Sequence, residues 1–232
     1  MDRGKNMFKN VRQGSLAKIV MEQIKEAMIK KKLRPGDRLP TETELCESLG
    51  VGKSSVREAI KMLEVLGVVQ TRQGDGTYIA TGIREDSVNP LLYQLLIECG
   101  NKGDILELRT QFEPMYSLLA LEKATNDDVE KIKTVHLEFC EKVKAGIQTA
   151  DDDLSFHIAI LNATHNPFII RIGMTVLQLF RESIEMSMEQ IPQKAVLDHT
   201  RIYQAFTKKD REELYLAIVD SFEAWSSLID EY

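Results

Sequence analysis

The stretch from Pro35 to Ala80, PGDRLPTETELCESLGVGKSSVREAIKMLEVLGVVQTRQGDGTYIA, constrains the fold more than any other part of the chain. Thr41 with Glu44 three residues on fits a capping box, in which the hydroxyl and the carboxylate each accept the other residue's backbone N–H. A short helix is expected to start there and to turn Leu45 and Leu49 inward. After the Gly50-Val51-Gly52 break, a second helix shows Val56, Ala59, Ile60 and Leu63 at helical spacing, with Lys53, Ser54, Arg57 and Lys61 on its opposite face. Val68 to Thr71, then Arg72-Gln73-Gly74-Asp75-Gly76, then Thr77 to Ala80 reads as strand, turn and strand. A short helix, an angled longer one with cations in its first turn, and a hairpin form the pattern of a reader of the DNA major groove. Isolated cations usually mark only a solvated helix face, but three linked motifs in order over about 45 residues argue against that reading.

The distribution of charge agrees. The net charge of −6 runs against polyanion binding, yet residues 1 to 82 carry 15 Lys/Arg against 10 Asp/Glu, while the remainder carries 15 against 26. A basic N-terminal module joined to an acidic C-terminal one suits a division between nucleic-acid binding and a second task. At 232 residues, 43% hydrophobic and 28% charged, the chain is expected to fold as two globular domains, 14–82 and 88–232, with a polar tail at 1–13 and a linker at 83–87. Cys46, Cys99 and Cys140 are far apart and odd in number, so neither a disulfide framework nor a CxxC metal site follows, and a reducing cytoplasm is expected. No apolar signal core or membrane span is expected either, because the longest apolar run, Phe168 to Phe180, is interrupted by Arg171.

Around the central stretch, Leu16, Ile19, Val20, Ile24 and Met28 form an apolar stripe expected to pack under the two DNA-facing helices. From Ser87 onward the pattern is helical throughout. Helices are expected over roughly 88–99, 103–123, 126–145, 150–164, 167–190, 193–207 and 210–230, which implies an antiparallel all-α bundle with an interior able to hold a small ligand. The fold class is therefore mainly α, with a winged helix-turn-helix and one small β-hairpin at the N-terminus.

Polar side chains on apolar stripes stand out in the bundle, because burying them is costly without a purpose. Asp153 and His157 are four apart on a face that continues to Ile160; His199 shares a stripe with Ala195, Ile202 and Phe206; Ser221 sits among Leu214, Ile218 and Trp225. One carboxylate and two imidazoles converging inside a bundle suit a divalent cation such as Zn²⁺, Mn²⁺ or Ni²⁺. Taken singly, each histidine is more often a satisfied core residue. Arg109 lies inward with Ile105 and Phe112, where its fork suits a carboxylate ligand or an ion pair with Glu113 four residues on. His136 and His165 lack such partners and are expected at the surface, and Asn166 is expected to cap a helix that starts at Pro167.

The central stretch resembles the winged helix-turn-helix of the GntR family of bacterial transcription regulators, through PGDRLPTETEL, VGKSSVREAI and RQGDGTYI. The resemblance implies DNA contacts by Lys53, Ser54 and Arg57 on the recognition helix and by Gln73 and Gly74 on the wing, with Glu42 and Thr43 near the backbone on the supporting helix. Lys53 and Thr43 stand where arginines are usual, and lysine lacks arginine's bidentate fork. Residues 103–229 are similar to the ligand-binding FCD domain of the FadR-like subfamily, through LELRTQFEP, DLSFHIAILNATHNP and HTRIYQAFTKKD. That likeness implies a metal held by Asp153, His157 and His199, beside a small organic-acid or sugar-acid effector bound with the help of Arg109. The usual fourth ligand is replaced by Ser221, so water, the effector or Asp220 is expected to complete the set. Arg171 and Arg181 are expected to line the same pocket, and His165 stands where the family commonly has glycine.

These readings together imply a cytoplasmic, homodimeric regulator of transcription, not an enzyme, that binds a palindromic operator and is controlled by an effector; repression is the commoner family behaviour. Two rivals remain at this level: a metal-dependent enzyme using Asp153, His157 and His199, and a non-specific nucleoid protein whose affinity is uniform across sequences.

Overall fold

In a computed structural model of the chain, residues 15–82, 89–98 and 102–229 are described, except for the side chains of Lys102 and of residues 223–229. The tail at 1–13, the linker at 83–87, Cys99 and the side chain of Trp225 lie outside them. Backbone contacts divide the chain into two compact units, with the boundary after Pro90. The described residues hold eleven helices and one two-stranded antiparallel sheet.

In the first unit, α1 (Leu16–Ile29) and α2 (Glu42–Leu49) both pack on α3 (Lys53–Val65). Thr41 and Glu44 form the expected capping box, and Gly50 ends α2 in the left-handed conformation (φ 64°) that a side chain disfavours. Val56, Ala59, Ile60 and Leu63 are buried together with Leu45. The stripe on α1 is rotated from the expected one: Ala17, Val20 and Ile24 are buried, whereas Leu16 and Ile19 are 40% and 46% exposed. The apolar positions outnumber those that one helical face can turn toward α3.

Strands β1 (Val69–Arg72) and β2 (Gly76–Ile79) pair in register Val69↔Ile79 to Arg72↔Gly76. The Thr71 N–H donates to Glu64 of α3 at 3.0 Å, which ties the hairpin to that helix. Arg38 bridges to Tyr78, and its guanidinium passes so close to Gly76 (φ 134°) that an added Cβ would lie 2.8 Å from Nε.

The second unit contains α4 (Pro90–Glu98), α5 (Lys102–Lys123), α6 (Asn126–Ala145), α7 (Ala150–Asn162), α8 (Pro167–Leu179), α9 (Arg181–Gln190), α10 (Pro192–Lys208) and α11 (Arg211–Ile229). Helices α5, α6, α7, α10 and α11 enclose the main core, in which Tyr116, Phe139, Phe156, Ile202 and Ile218 are fully buried. Capping boxes Thr125/Asp128 and Thr149/Asp152 start α6 and α7, and Asn166 caps α8 ahead of Pro167. The helix expected over 167–190 is two helices. At Phe180 the backbone N–H turns back to Leu177 at 3.2 Å, and the ring, 1% exposed, anchors the break in the core. No helix among the described residues is long and apolar enough to cross a membrane.

Candidate metal centre and nucleic-acid interface

Three successive aspartates in the first turn of α7 are divided among three tasks. Asp151 points out and pairs with Arg181, Asp152 closes the capping box and meets Lys142 at 2.5 Å, and only Asp153 turns inward. One turn on, His157 shares its burial, and His199 arrives from α10; all three are about 4% exposed or less. The two Nε2 atoms are 3.3 Å apart, and the Asp153 carboxylate oxygens lie 3.6 Å from His157 Nε2 and 3.4 Å from His199 Nε2. An ion with bonds of about 2.0–2.1 Å holds neighbouring ligand atoms roughly 3.0–3.4 Å apart; two of the three separations fall in that range and the third, to the other Asp153 oxygen, is slightly longer, so the cluster is close to the size that one ion needs.

Behind His157 stands Glu113 of α5, a residue that the sequence reading placed only as an ion-pair partner. Its Oε1 is 2.7 Å from His157 Nδ1, an ion-pair contact out of line with the ring N–H, and its Oε2 accepts from Arg109 Nε at 3.1 Å. The spacing Arg109, Glu113, Tyr116 on one helical face was the available signal. Arg109 is 7% exposed and lies 5.3 Å from the ring centroids of Phe180 and Phe222. The Nδ1 atoms of His157 and His199 and the hydroxyl of Tyr116 are buried without a hydrogen-bond partner.

Burial alone would raise the Glu113 carboxyl, but His157 and Arg109 outweigh it and hold the group at about 2. Burial likewise disfavours the charged imidazole of His157, yet Glu113 and Asp153 push it up to about 9. His199 lacks a second carboxylate, and burial takes it down to about 3. Asp153 is lowered against burial by both histidines. At neutral pH the cluster holds Arg109⁺, His157⁺, Glu113⁻, Asp153⁻ and neutral His199, a balance of zero.

A cavity of about 50 Å³ opens beside this cluster, and Arg109, Asp153, His157, Lys194, Asp198, His199 and Ser221 are among the residues that line it. Ser221 donates to the carbonyl of Ile218 at 2.6 Å. Four expectations are corrected. Asp220 pairs with Arg201 on the surface and faces away from the cluster. Arg171 is exposed, because α8 turns Gly173, Val176 and Leu177 to the core. Arg181 forms a bidentate surface pair with Asp151 at 2.6 and 2.9 Å. His136, expected at the surface, is buried and stacks on Tyr203, whereas His165 is at the surface and meets Asp128 at 2.7 Å.

In the first unit, Lys53, Ser54 and Arg57 are exposed on the first turns of α3, and Thr43, Gln73 and Gly74 are exposed as well. Glu42 is half-buried and binds Arg57, with Oε2 at 2.7 Å from Nε. A groove between the start of α2 and the hairpin is lined by Glu42, Gln73 and Gly74, and also by Arg38 and Arg72, which the sequence reading did not single out. Arg72 is stacked over the Tyr78 ring at 4.3 Å. The groove thus brings two guanidinium groups, Arg38 and Arg72, together with two carboxylates, Glu42 and Asp75.

Residues 16–79 match the family described as bacterial regulatory proteins, gntR family, and residues 104–224 match the FCD domain. The chain is 32% identical over 180 residues to the HTH-type transcriptional regulator LutR of Bacillus subtilis, covering 75% of this chain and 82% of LutR. It is 30% identical over 212 residues to the Uxu operon transcriptional regulator of Escherichia coli, covering 86% of this chain and 81% of that protein. A solved structure of Streptococcus agalactiae GntR shares the fold with a TM-score of 0.65 and 23% identity, over 91% of this chain and 99% of that one. These relatives are regulators of transcription, which removes the metal-dependent enzyme from consideration.

Proposed function

The chain belongs to the GntR family of bacterial regulatory proteins and carries an FCD domain, and from that premise we propose that it is a repressor released by a small carboxylate bound, together with a divalent metal, in the C-terminal bundle. The observation that carries this reading is the buried triangle of Asp153, His157 and His199 placed beside Arg109 in one cavity. Asp153, His157 and His199 hold the ion, which supplies a Lewis-acidic centre for an anionic ligand. Replacing the His157 proton by a divalent cation changes the cluster's balance from zero to +1, which favours an anion. Arg109 contributes its guanidinium to the same ligand, and Ser221 lines the space near it. A cavity of about 50 Å³ has room for a molecule of a few non-hydrogen atoms, which favours a short organic acid over a sugar acid or a long acyl chain.

Lys53, Ser54 and Arg57 read the major groove, Gln73 and Gly74 of the wing approach the DNA closely, and Glu42 and Thr43 flank the sugar-phosphate backbone. The protein works in the cytoplasm as a homodimer on a palindromic operator, since a two-fold site is matched by a two-fold protein. The effector acts by shifting a population: it binds better to the arrangement that holds the DNA-binding modules apart from operator geometry. A coupling of about 1–3 kcal/mol gives a 5- to 150-fold change in operator affinity.

Native mass spectrometry of protein purified without chelator, with elemental analysis, tests the reading. A dimer mass with near-stoichiometric Zn, Mn or Ni and a bound small acid is expected. A metal-free protein that takes up only apolar ligands would contradict it.

A further inference from the structure

We infer that Glu113 is the positioning residue of the metal centre: its carboxylate holds His157 from behind, at Nδ1, so that Nε2 is the atom presented to the ion. This rests on the metal reading given above. Four observations carry it. First, Glu113 is 4% exposed and lies in a different helix, α5, from any of the three ligands, so burying its charge is a cost that a surface pair would avoid. Second, its two oxygens are divided between His157 Nδ1 at 2.7 Å and Arg109 Nε at 3.1 Å, which fixes the carboxylate from both sides. Third, the opposite ring nitrogen of His157 faces Asp153 and His199 Nε2, at 3.6 and 3.3 Å. Fourth, the contrast with His199 is internal to the site: neither Nδ1 makes an in-line hydrogen bond, but that of His157 meets a carboxylate oxygen at 2.7 Å, whereas the ring of His199 is held by stacking on Phe156 at 4.2 Å between centroids.

A metal-bound imidazole keeps its proton on the other nitrogen, and a carboxylate there fixes both the tautomer and the ring angle. A slight turn of the His157 ring brings Nδ1–H into line with Glu113 Oε1, and Nε2 is then left as the ligand atom. His199, with no such carboxylate behind its Nδ1, is positioned by stacking on Phe156 and by the contact of its Nε2 with Asp153. The two histidines are therefore unequal ligands, and Glu113 sets the stronger one. Because the same carboxylate receives Arg109, loss of its charge also changes what holds the arginine in the cavity.

The test uses the full-length protein with Zn²⁺ and Co²⁺ as probes. Wild type, Glu113→Gln and Glu113→Ala are titrated with Zn²⁺ against a chromophoric chelator, the Co²⁺ absorption spectrum is recorded for each, and circular dichroism checks the fold. Nitrogen-15 NMR of the Zn²⁺-loaded wild type reports the histidine tautomers. Expected are a loss of Zn²⁺ affinity of about 10- to 100-fold in both variants, an altered Co²⁺ spectrum, and His157 metallated at Nε2 with its proton on Nδ1. Zn²⁺ affinity of Glu113→Gln within twofold of wild type, or His157 bound through Nδ1, overturns the assignment while leaving the metal reading in place. Should wild type itself take up neither ion, the metal reading fails and Glu113's role falls with it. If the variants do not fold, the wild-type tautomer spectrum decides alone.

Discussion

Arg57 Nε lies 2.7 Å from Glu42 Oε2, an ion pair that joins α3 to α2 across fifteen residues of chain. The pair engages the arginine through Nε and sits at the edge of the groove that Gln73 and Gly74 also line. Arg57→Ala is expected to lower affinity for a preferred duplex by about 1–3 kcal/mol and to relax the choice at one base position. Glu42→Gln is expected to act in the opposite sense on random duplex, because removing a carboxylate near phosphates reduces repulsion. Fluorescence anisotropy on selected and scrambled duplexes at one fixed salt concentration measures both; equal losses on the two duplexes for Arg57→Ala would remove it from base reading.

Gly76 combines a φ of 134° with a guanidinium where a side chain would begin. Gly76→Ala is expected to cost about 1–3 kcal/mol through backbone strain and to push Arg38 out of place, weakening DNA binding at the same time. Chemical denaturation and anisotropy on the same variant check the two effects. A variant with wild-type stability would show that the hairpin adjusts freely.

Much of this architecture was legible in the chain because its signals are local. The capping pairs Thr41/Glu44 and the i, i+4 pair Asp153/His157 each lie within one helical turn, so a period alone places them on a shared face. The division at Phe180 was not legible, since no glycine or proline marks it and the buried ring that anchors it depends on distant contacts. Arg171 and Arg181 were misjudged for a related reason. The apolar run around them includes Phe168 and Ile172, which are themselves 79% and 48% exposed, so hydrophobicity there did not indicate the inward face. Glu113 was seen only as a neighbour of Arg109, because its second partner, His157, is brought in by packing of α7 on α5.

Metal uptake should appear as stability. At a free Zn²⁺ concentration of 100 times the dissociation constant, binding to the native state alone adds about 2.7 kcal/mol, a rise in melting temperature of about 5–10 °C. Asp153→Asn and His199→Ala are expected to abolish that rise. A Zn²⁺ effect that survives both substitutions would place the ion elsewhere.

The metal-free protein is expected to be most stable near pH 6.5. His157, with a folded-state pKa of about 9 against 6.5 unfolded, contributes stability in full below 6.5 and loses it as pH rises through 9. His199, held at about 3, acts in the other direction: the unfolded chain gains a proton below 6.5 that the folded chain refuses, so stability falls as pH drops from 6.5 toward 3. Thermal melts of chelator-treated protein between pH 5 and 9.5 follow both limbs, and a flat profile above pH 6.5 would contradict the charge on His157.

Selection of the purified protein against a library of random duplexes, repeated with Zn²⁺ and short hydroxy acids added, tests the central claim most directly. Enrichment of a short two-fold symmetric sequence is expected, with affinity for it falling 5- to 150-fold when the effective acid is present. Recovery of no preferred sequence under any of these conditions would contradict the assignment of α3 as a reader of DNA and of the bundle as its control.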